Sequence, residues 1–134
     1  RSDIRRPVIC GEPAREVQAA DDAVREAQRR AVDAVRPGVR AEEIDRVARD
    51  VLTSRGMGDR FIHRTGHGIG LDIHEPPYIV AGNKTPLEPG MAFSVEPGVY
   101  FPERFGIRIE DVVVVSETSG MPMTQASHEL TKVE

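Results

Sequence analysis

Histidines are concentrated in one glycine-rich segment of the sequence. His63, His67 and His74 lie within twelve residues and are interleaved with three glycines. Imidazole is a common metal ligand and carries protons near neutral pH, and glycine lets a backbone come close to a ligand. A glycine-rich turn with surface histidines would show the same pattern. The cluster therefore indicates a site only if other ligating residues join it.

Two glutamates in apolar strand candidates could join the histidines. Glu96 follows the run at positions 91–95, whose alternation places it on the face opposite the large apolar side chains. If residues 102–106 form the turn of a hairpin, position 96 opposes roughly position 112, and Glu110 is a diagonal neighbour on the same face, ~7 Å away. A shift of one residue would separate the two carboxylates. Surface acids are the alternative, but acids in apolar strands are costly unless a cation binds them, which favours a metal.

The elements that must position these residues begin with a strand and a helix. Residues 4–10 are strand-like, and Pro13 suits the first position of a helix, where its missing N–H costs nothing. Apolar residues then recur at steps of three and four, which predicts an amphipathic helix with one buried stripe. The stripe comprises Val17, Ala20, Val24, Ala27, Ala31 and Ala34. Pro37 and Gly38 end the helix after Arg36.

A second helix and a sheet follow. The helix is expected from Ala41 to about Arg55, although Arg40 is a poor N-cap. Beyond it the sequence changes to short, Gly- and Pro-rich strands and loops. The best strand candidates are Phe61 to Arg64, Met91 to Phe101 and Gly106 to Val115. A strand, two helices and then a sheet predict an α+β fold with antiparallel pairing.

Composition excludes several functional classes. The chain has 134 residues, the length of one domain, and a net charge of −4 without a basic cluster, which argues against nucleic-acid binding. No segment approaches the ~20 apolar residues of a membrane helix. Cys10 is the single cysteine, so the fold needs no internal disulfide, and a reducing cytoplasm is the expected location.

Five motifs, in this order, give the chain a resemblance to a known family. They are His63-Arg64-Thr65-Gly66-His67-Gly68-Ile69-Gly70-Leu71, His74-Glu75, Leu87-Glu88-Pro89-Gly90-Met91, Val95-Glu96-Pro97-Gly98 and Gly106-Ile107-Arg108-Ile109-Glu110-Asp111. Together they resemble the pita-bread metallopeptidases (M24), and the last motif resembles the branch of Xaa-Pro aminopeptidases and prolidases. The resemblance implies that residues 1–134 are a partial catalytic domain, the C-terminal part of a pita-bread fold with two helices packed on a curved antiparallel sheet.

The resemblance also implies roles for individual residues. The family holds two divalent ions with two aspartates, one histidine and two glutamates. His67 matches the histidine, Glu96 and Glu110 match the glutamates, and Asp3 matches the second aspartate, while the first aspartate has no counterpart in this chain. His63 and His74 match the family's histidines that contact the substrate and stabilise the transition state. Arg108 matches an arginine beside the glutamate that bridges the two ions, which Glu110 matches.

The implied activity is hydrolysis of a peptide bond that precedes proline. Two cations ~3.5 to 4 Å apart activate a water molecule between them, and a carboxylate-rich ligand set with one imidazole suits Mn²⁺ or Co²⁺. The expected partner is a peptide with proline at its second position. Because half of the pseudo-symmetric fold lacks a counterpart in this chain, a companion segment or a homo-oligomer is expected to complete it.

Two other functions fit the same fold. One is a non-catalytic pita-bread module that binds a peptide or protein through the cleft. The other is a creatinase-like hydrolase that relies on histidines without a metal. Both are disfavoured because Glu96 and Glu110 keep the ligand positions filled.

Overall fold

The computed structural model describes residues 8–10, 15–70, 75–123 and 131–133. Asp3, the strand prediction over residues 4–7, the helix start at Pro13 and His74 lie outside these ranges.

Two helices form one layer of the fold. Helix α1 spans Arg15–Asp33 and helix α2 spans Ala41–Ser54. The predicted stripe of α1 is confirmed, because its central members are fully buried and Val17 and Ala34 are partly buried. The predicted end after Arg36 is wrong, since the helix ends at Asp33 and Ala34 lies in the turn that follows, where amides donate to carbonyls three residues back. The buried surface of α1 is wider than the stripe, since Asp21 and Gln28 are also buried. Within the described parts of the chain, no helix combines the length and apolarity needed to span a bilayer.

The start of α2 shows how a poor N-cap residue is tolerated. Arg40 makes no side-chain capping bond. Instead, the first N–H groups of the helix donate to backbone carbonyls of a neighbouring loop, from Ala41 to Thr85 (2.9 Å) and from Glu42 to Asn83 (2.8 Å). The orphan donors of the helix end are thus satisfied by tertiary contacts that local sequence does not reveal.

The described residues contain three sheets. Their strands are β1 Val8–Cys10, β2 Gly66–Gly68, β3 Glu75–Ile79, β4 Ala92–Val95, β5 Gly98–Phe101, β6 Phe105–Arg108, β7 Asp111–Val115, β8 Gly120–Pro122 and β9 Thr131–Val133. The main sheet is antiparallel in the order β3-β2-β4-β7-β8, and β5 pairs with β6 in an antiparallel hairpin. Strands β1 and β9 pair in parallel. The predicted α+β class with antiparallel pairing is confirmed for the two sheets that carry the candidate site.

The two long strands that were expected to form the hairpin are each divided into two shorter strands. The first breaks at Glu96 and Pro97, and the second breaks at Ile109 and Glu110, so one hairpin contributes to two sheets. Pro97 contributes to the first break because it has no N–H to donate to a ladder. The break places both glutamates where the chain passes between the sheets.

The register of the hairpin also differs from the prediction. The turn is shorter than expected, with Phe101 paired to Phe105, and it contains Glu103 at a φ of 63°. Val95 pairs with Asp111 and Gly98 with Arg108, so position 96 continues the register opposite 110 rather than 112. The difference is two positions, which leaves the facing side of the strand unchanged.

The strand expected at Phe61 to Arg64 is wrong. This segment is a loop after a short 3₁₀ helix, Gly58–Arg60. The carbonyls of Phe61 and His63 accept hydrogen bonds from the Arg49 guanidinium of α2 instead of from a neighbouring strand. A long-range side chain therefore takes the place of the ladder that the apolar pattern suggested.

The core lies between the helices and the main sheet. Small residues on α1, including Ala20, Ala27 and Ala31, are fully buried and let the layers approach closely. Larger buried side chains, among them Phe93 and Ile109, fill the space on the sheet side. The strands that carry the candidate site are therefore held from behind by a packed core.

Candidate metal site

Three ligating side chains converge where the central strands of the main sheet meet. His67 lies on β2, Glu96 directly follows β4 and Glu110 directly precedes β7. These strands are neighbours, in the order β2-β4-β7. One ligand atom from each of the three side chains lies within 4.8 Å of the other two. Glu96 and Glu110 are thus close together, as the hairpin argument predicted, and His67 joins them from the neighbouring strand.

The orientation of the His67 ring is fixed by backbone contacts. Its Nδ1 lies 3.1 Å from the carbonyl oxygen of Gly68, and a carbonyl can only accept, so Nδ1–H is the donor. Its backbone N–H donates to Ser94 Oγ at 3.1 Å. In the neutral ring this tautomer leaves Nε2 as a lone-pair donor, the arrangement typical of metal-ligating histidines.

The lone pair of Nε2 faces a carboxylate. His67 Nε2 lies 3.3 Å from Glu96 Oε2. That oxygen is buried and accepts no hydrogen bond from the residues that the structure describes. Two lone-pair acceptors at this distance repel unless a proton or a metal cation lies between them. One imidazole nitrogen and two carboxylates, largely shielded from water, fit a divalent cation.

A glycine permits the close approach of the two strands that carry His67 and Glu96. A Cβ built on Gly66 would lie 1.7 Å from the carbonyl oxygen of Ser94, much closer than real contacts. The glycine interleaving of the histidine segment therefore has a specific cause here. Any side chain at position 66 would separate β2 from β4.

An open cleft of about 430 Å³ adjoins the cluster, and its lining includes His63, Arg64, His67, Val80, Glu96 and Arg108. His63 Nδ1–H donates to the Arg64 carbonyl at 2.7 Å, so in the neutral ring Nε2 accepts from the Tyr100 hydroxyl at 2.8 Å. The Nε of Arg108 is buried and has no hydrogen-bond partner within the described residues. The cleft is thus lined by the cationic Arg108 and by His63, whose ring is bonded to Tyr100, beside the ligating side chains of His67 and Glu96.

Comparison with known proteins identifies the family to which the chain belongs. The sequence model of metallopeptidase family M24 matches residues 1–117. The chain belongs to metallopeptidase family M24. It is 54% identical over 129 residues to a probable dipeptidase PepE of Mycobacterium tuberculosis, covering 96% of this chain and 34% of that protein. It is 47% identical over the same length to an Xaa-Pro dipeptidase of Lactobacillus delbrueckii, covering 96% and 35%.

Solved structures of M24 relatives have the same fold. A prolidase from Thermococcus sibiricus superposes with a TM-score of 0.96 at 46% identity, over 98% of this chain and 36% of that one. The dipeptidase PepE of Mycobacterium ulcerans gives 0.91 at 56%, over 92% and 33%. The expected pita-bread arrangement of two helices on an antiparallel sheet is confirmed. The chain spans about a third of the length of the relatives it matches.

Not all residues that the M24 resemblance implied can be placed. The structure brings His67, Glu96 and Glu110 together and places His63 and Arg108 along the adjoining cleft. Asp3 and His74 lie outside the described residues. The individual roles of all seven residues stay predictions.

Sequence reasoning missed the polar residues that hold the loop before the candidate metal site. Asp45 and Thr65 are almost fully buried and hydrogen-bonded to each other, and Arg49 binds the loop before Thr65. The sequence contained one signal that Asp45 is buried. It lies seven residues before the apolar Leu52 and therefore on the same side of α2, which the structure buries. Tyr100 had no such signal, because its partner His63 comes from a distant loop.

Proposed function

We propose that the chain is the catalytic portion, over residues 1–134, of a metal-dependent exopeptidase that hydrolyses the bond between an N-terminal residue and proline. The observation that carries the proposal is the convergence of His67, Glu96 and Glu110 in a member of M24. The names of its relatives support the substrate, since several are Xaa-Pro dipeptidases or prolidases.

The proposed ligands are Asp3, His67, Glu96 and Glu110, and the proposed ion is Mn²⁺ or Co²⁺. A site with mostly carboxylate oxygens and one imidazole favours these ions over a thiolate-bound zinc. When bound, a divalent cation polarises the peptide carbonyl and activates water for attack. The hydrogen bond from Nδ1–H to Gly68 supports the assignment of His67 Nε2 as the nitrogen ligand.

The substrate is proposed to lie in the cleft beside these ligands. Its volume of about 430 Å³ is in the range of small-ligand sites. An Xaa-Pro dipeptide ends in a carboxylate, and Arg108 is a cation on the cleft wall whose Nε has no partner within the described part of the chain. We therefore assign Arg108 to that carboxylate, where a guanidinium can donate two parallel hydrogen bonds.

The two histidines are proposed to have different roles, His74 at the reacting peptide group and His63 at the cleft wall. We assign to His74 the hydrogen bond to the carbonyl oxygen as it gains negative charge, a contribution of ~3 kcal/mol for a well-placed donor. His63 is proposed to act at the cleft wall as a pair with Tyr100, because both of its ring nitrogens are already hydrogen-bonded. The pair holds the ring edge and the hydroxyl in fixed positions beside the substrate.

We also propose how the metal site is completed and where the enzyme acts. The family site has one aspartate more than this chain supplies, so we propose that a companion segment or a second subunit contributes it. Because Cys10 is the single cysteine, the chain forms no internal disulfide, which supports the proposal that the enzyme acts in the cytoplasm.

The test is release of proline from Met-Pro by a protein that contains this chain with its companion portion. We expect hydrolysis that EDTA abolishes and Mn²⁺ restores, and no comparable hydrolysis of Met-Ala. A Glu110→Gln variant is the matched negative control, because it replaces a charged carboxylate ligand with a neutral amide of the same size. Equal turnover of both dipeptides, or activity that EDTA leaves unchanged, would reject the proposal.

A further inference from the structure

A buried acid on α2 is bonded to the loop that leads into the candidate site. Asp45 is 1% exposed. Its Oδ1 accepts from the hydroxyl of Thr65 at 2.8 Å and from the N–H of Thr65 at 3.2 Å, and its Oδ2 accepts from Arg49 Nε at 2.7 Å. Both carboxylate oxygens are therefore used, one toward the loop and one toward the helix's own arginine.

Arg49 extends this attachment along the same loop. Its two terminal nitrogens donate to the carbonyls of Phe61 (3.0 Å) and His63 (2.6 Å). Its guanidinium also lies 4.2 Å from the centroid of the Phe61 ring. The backbone of the loop is thus fixed by two adjacent side chains of one helix, although the loop forms no ladder with a strand.

Thr65 connects this attachment to a proposed metal ligand. The residue is fully buried, and its N–H also donates to Ile79 on β3 at 2.9 Å. Its carbonyl accepts the backbone N–H of Glu96 at 2.7 Å. A continuous path of hydrogen bonds therefore runs from Asp45 through Thr65 to Glu96, and His67 lies two residues beyond Thr65.

Stability alone is a poor explanation for these buried polar groups. Burying the Asp45 carboxylate is costly even beside Arg49, whose side chain stays 32% exposed, and well-packed apolar residues often stabilise a fold as well or better. What polar contacts add is a defined geometry, because hydrogen bonds fix distance and direction. The geometry fixed here is that of Glu96 relative to His67.

We propose that Asp45, Arg49 and Thr65 are positioning residues that hold Glu96 and His67 at the spacing a divalent cation requires. The inference rests on the proposed metal site. It adds that affinity for the ion depends on a helix that contributes no ligand.

The test compares four variants of the full 134-residue chain. Thr65→Val removes the hydroxyl at nearly constant volume, and Thr65→Ser keeps it. Asp45→Ala removes the acceptor, and Ile44→Val is the control, because it trims a core side chain on the same helix without touching a polar contact. Mn²⁺ affinity is measured by calorimetry, and hydrogen exchange of the Glu96 amide is measured in the metal-free chain.

We expect Mn²⁺ to bind about tenfold more weakly to the Thr65→Val variant and up to about 100-fold more weakly to the Asp45→Ala variant. Thr65→Ser should restore most of the affinity, and Ile44→Val should leave it within about twofold. The Glu96 amide should exchange faster in the Thr65→Val variant but keep its protection in the Thr65→Ser and Ile44→Val variants.

The outcomes separate this inference from the proposed function. If the unaltered chain binds no Mn²⁺ either alone or with its companion portion, the metal site fails, and the exchange of the Glu96 amide still decides whether Thr65 positions that residue. If the unaltered chain binds Mn²⁺ but Thr65→Val and Ile44→Val weaken binding equally, only stability is involved and the inference is overturned. Unchanged exchange at Glu96 in the Thr65→Val variant would overturn it as well.

Discussion

Replacing Gly66 with alanine should separate the two strands that carry His67 and Glu96. The new Cβ would lie 1.7 Å from the Ser94 carbonyl oxygen, and real Cβ contacts essentially never fall below 3.0 Å. Strands β2 and β4 must therefore move apart by about 1.3 Å at this point, because backbone cannot rotate away as a side chain does. The hydrogen bond from the His67 N–H to Ser94 Oγ, now 3.1 Å, would be stretched beyond bonding distance.

The expected cost combines overpacking with the lost hydrogen bond. Overpacking costs roughly 1 to 3 kcal/mol, and a buried donor left unsatisfied adds about 1 to 3 kcal/mol. Gly66→Ala should thus lower the free energy of unfolding by about 3 kcal/mol or more, and Tm by roughly 10 °C for a chain of this size. Mn²⁺ affinity should fall at least about tenfold, since the displaced atoms include the nitrogen ligand's own backbone.

Gly82→Ala is the matched control for this prediction. Gly82 has a φ of +86° and nothing within 4 Å of a built Cβ, so alanine there costs only backbone strain, about 1 kcal/mol. Urea denaturation and Mn²⁺ calorimetry on both variants complete the assay. If Gly66→Ala is no less stable than Gly82→Ala and binds Mn²⁺ as tightly, the close approach of β2 and β4 does not hold the site.

Four further outcomes are expected. Glu110→Gln should weaken Mn²⁺ binding at least about tenfold by calorimetry, while the same change at the exposed Glu88 should have no effect; equal affinities would remove Glu110 from the ligand set. Tyr100→Phe should lower kcat for Met-Pro without changing Mn²⁺ affinity, since it removes the donor to His63; an unchanged kcat would contradict the paired role. Phe93→Ala should cost about 3 to 5 kcal/mol in urea denaturation, because its side chain is fully buried in the core, and a cost below ~1 kcal/mol would contradict that packing. Mn²⁺ at 100 times its Kd should stabilise the chain by about 2.7 kcal/mol, and the absence of a thermal shift would show that no ion binds the folded state.

The periodic parts of the fold could be predicted from the sequence. The stripe of α1 and the span of α2 follow from spacing alone, because a helix repeats every 3.6 residues whatever it packs against. The prediction placed Glu96 on the correct face of its strand but opposite position 112, whereas the observed register places it opposite position 110. Turn length sets register, and the turn expected over residues 102–106 is two residues longer than the observed one, which lies between the paired Phe101 and Phe105.

The supporting contacts could not be predicted, because they join residues far apart in the chain. The apolar character of Phe61 suggested a strand, but Arg49 binds the carbonyls of its loop. Thr65 lies beside the glycines of a recognisable motif, yet its partners Asp45 and Glu96 are twenty or more residues away. Local pattern reports which face of an element is buried. It does not report which buried polar group will meet which.

The layout of the ligands links metal binding to folding. His67, Glu96 and Glu110 are widely separated in sequence and meet only when β2, β4 and β7 are side by side. An ion bound to all three would thus contact the folded chain and have no equivalent site in the unfolded chain, so its binding free energy becomes stability. The buried carboxylate oxygen of Glu96 lies 3.3 Å from His67 Nε2, so the packing of these strands already brings two of the proposed ligand atoms together. The core and the Asp45–Thr65 contacts hold the strands at this spacing, and for this reason the proposed site depends on a helix that supplies no ligand.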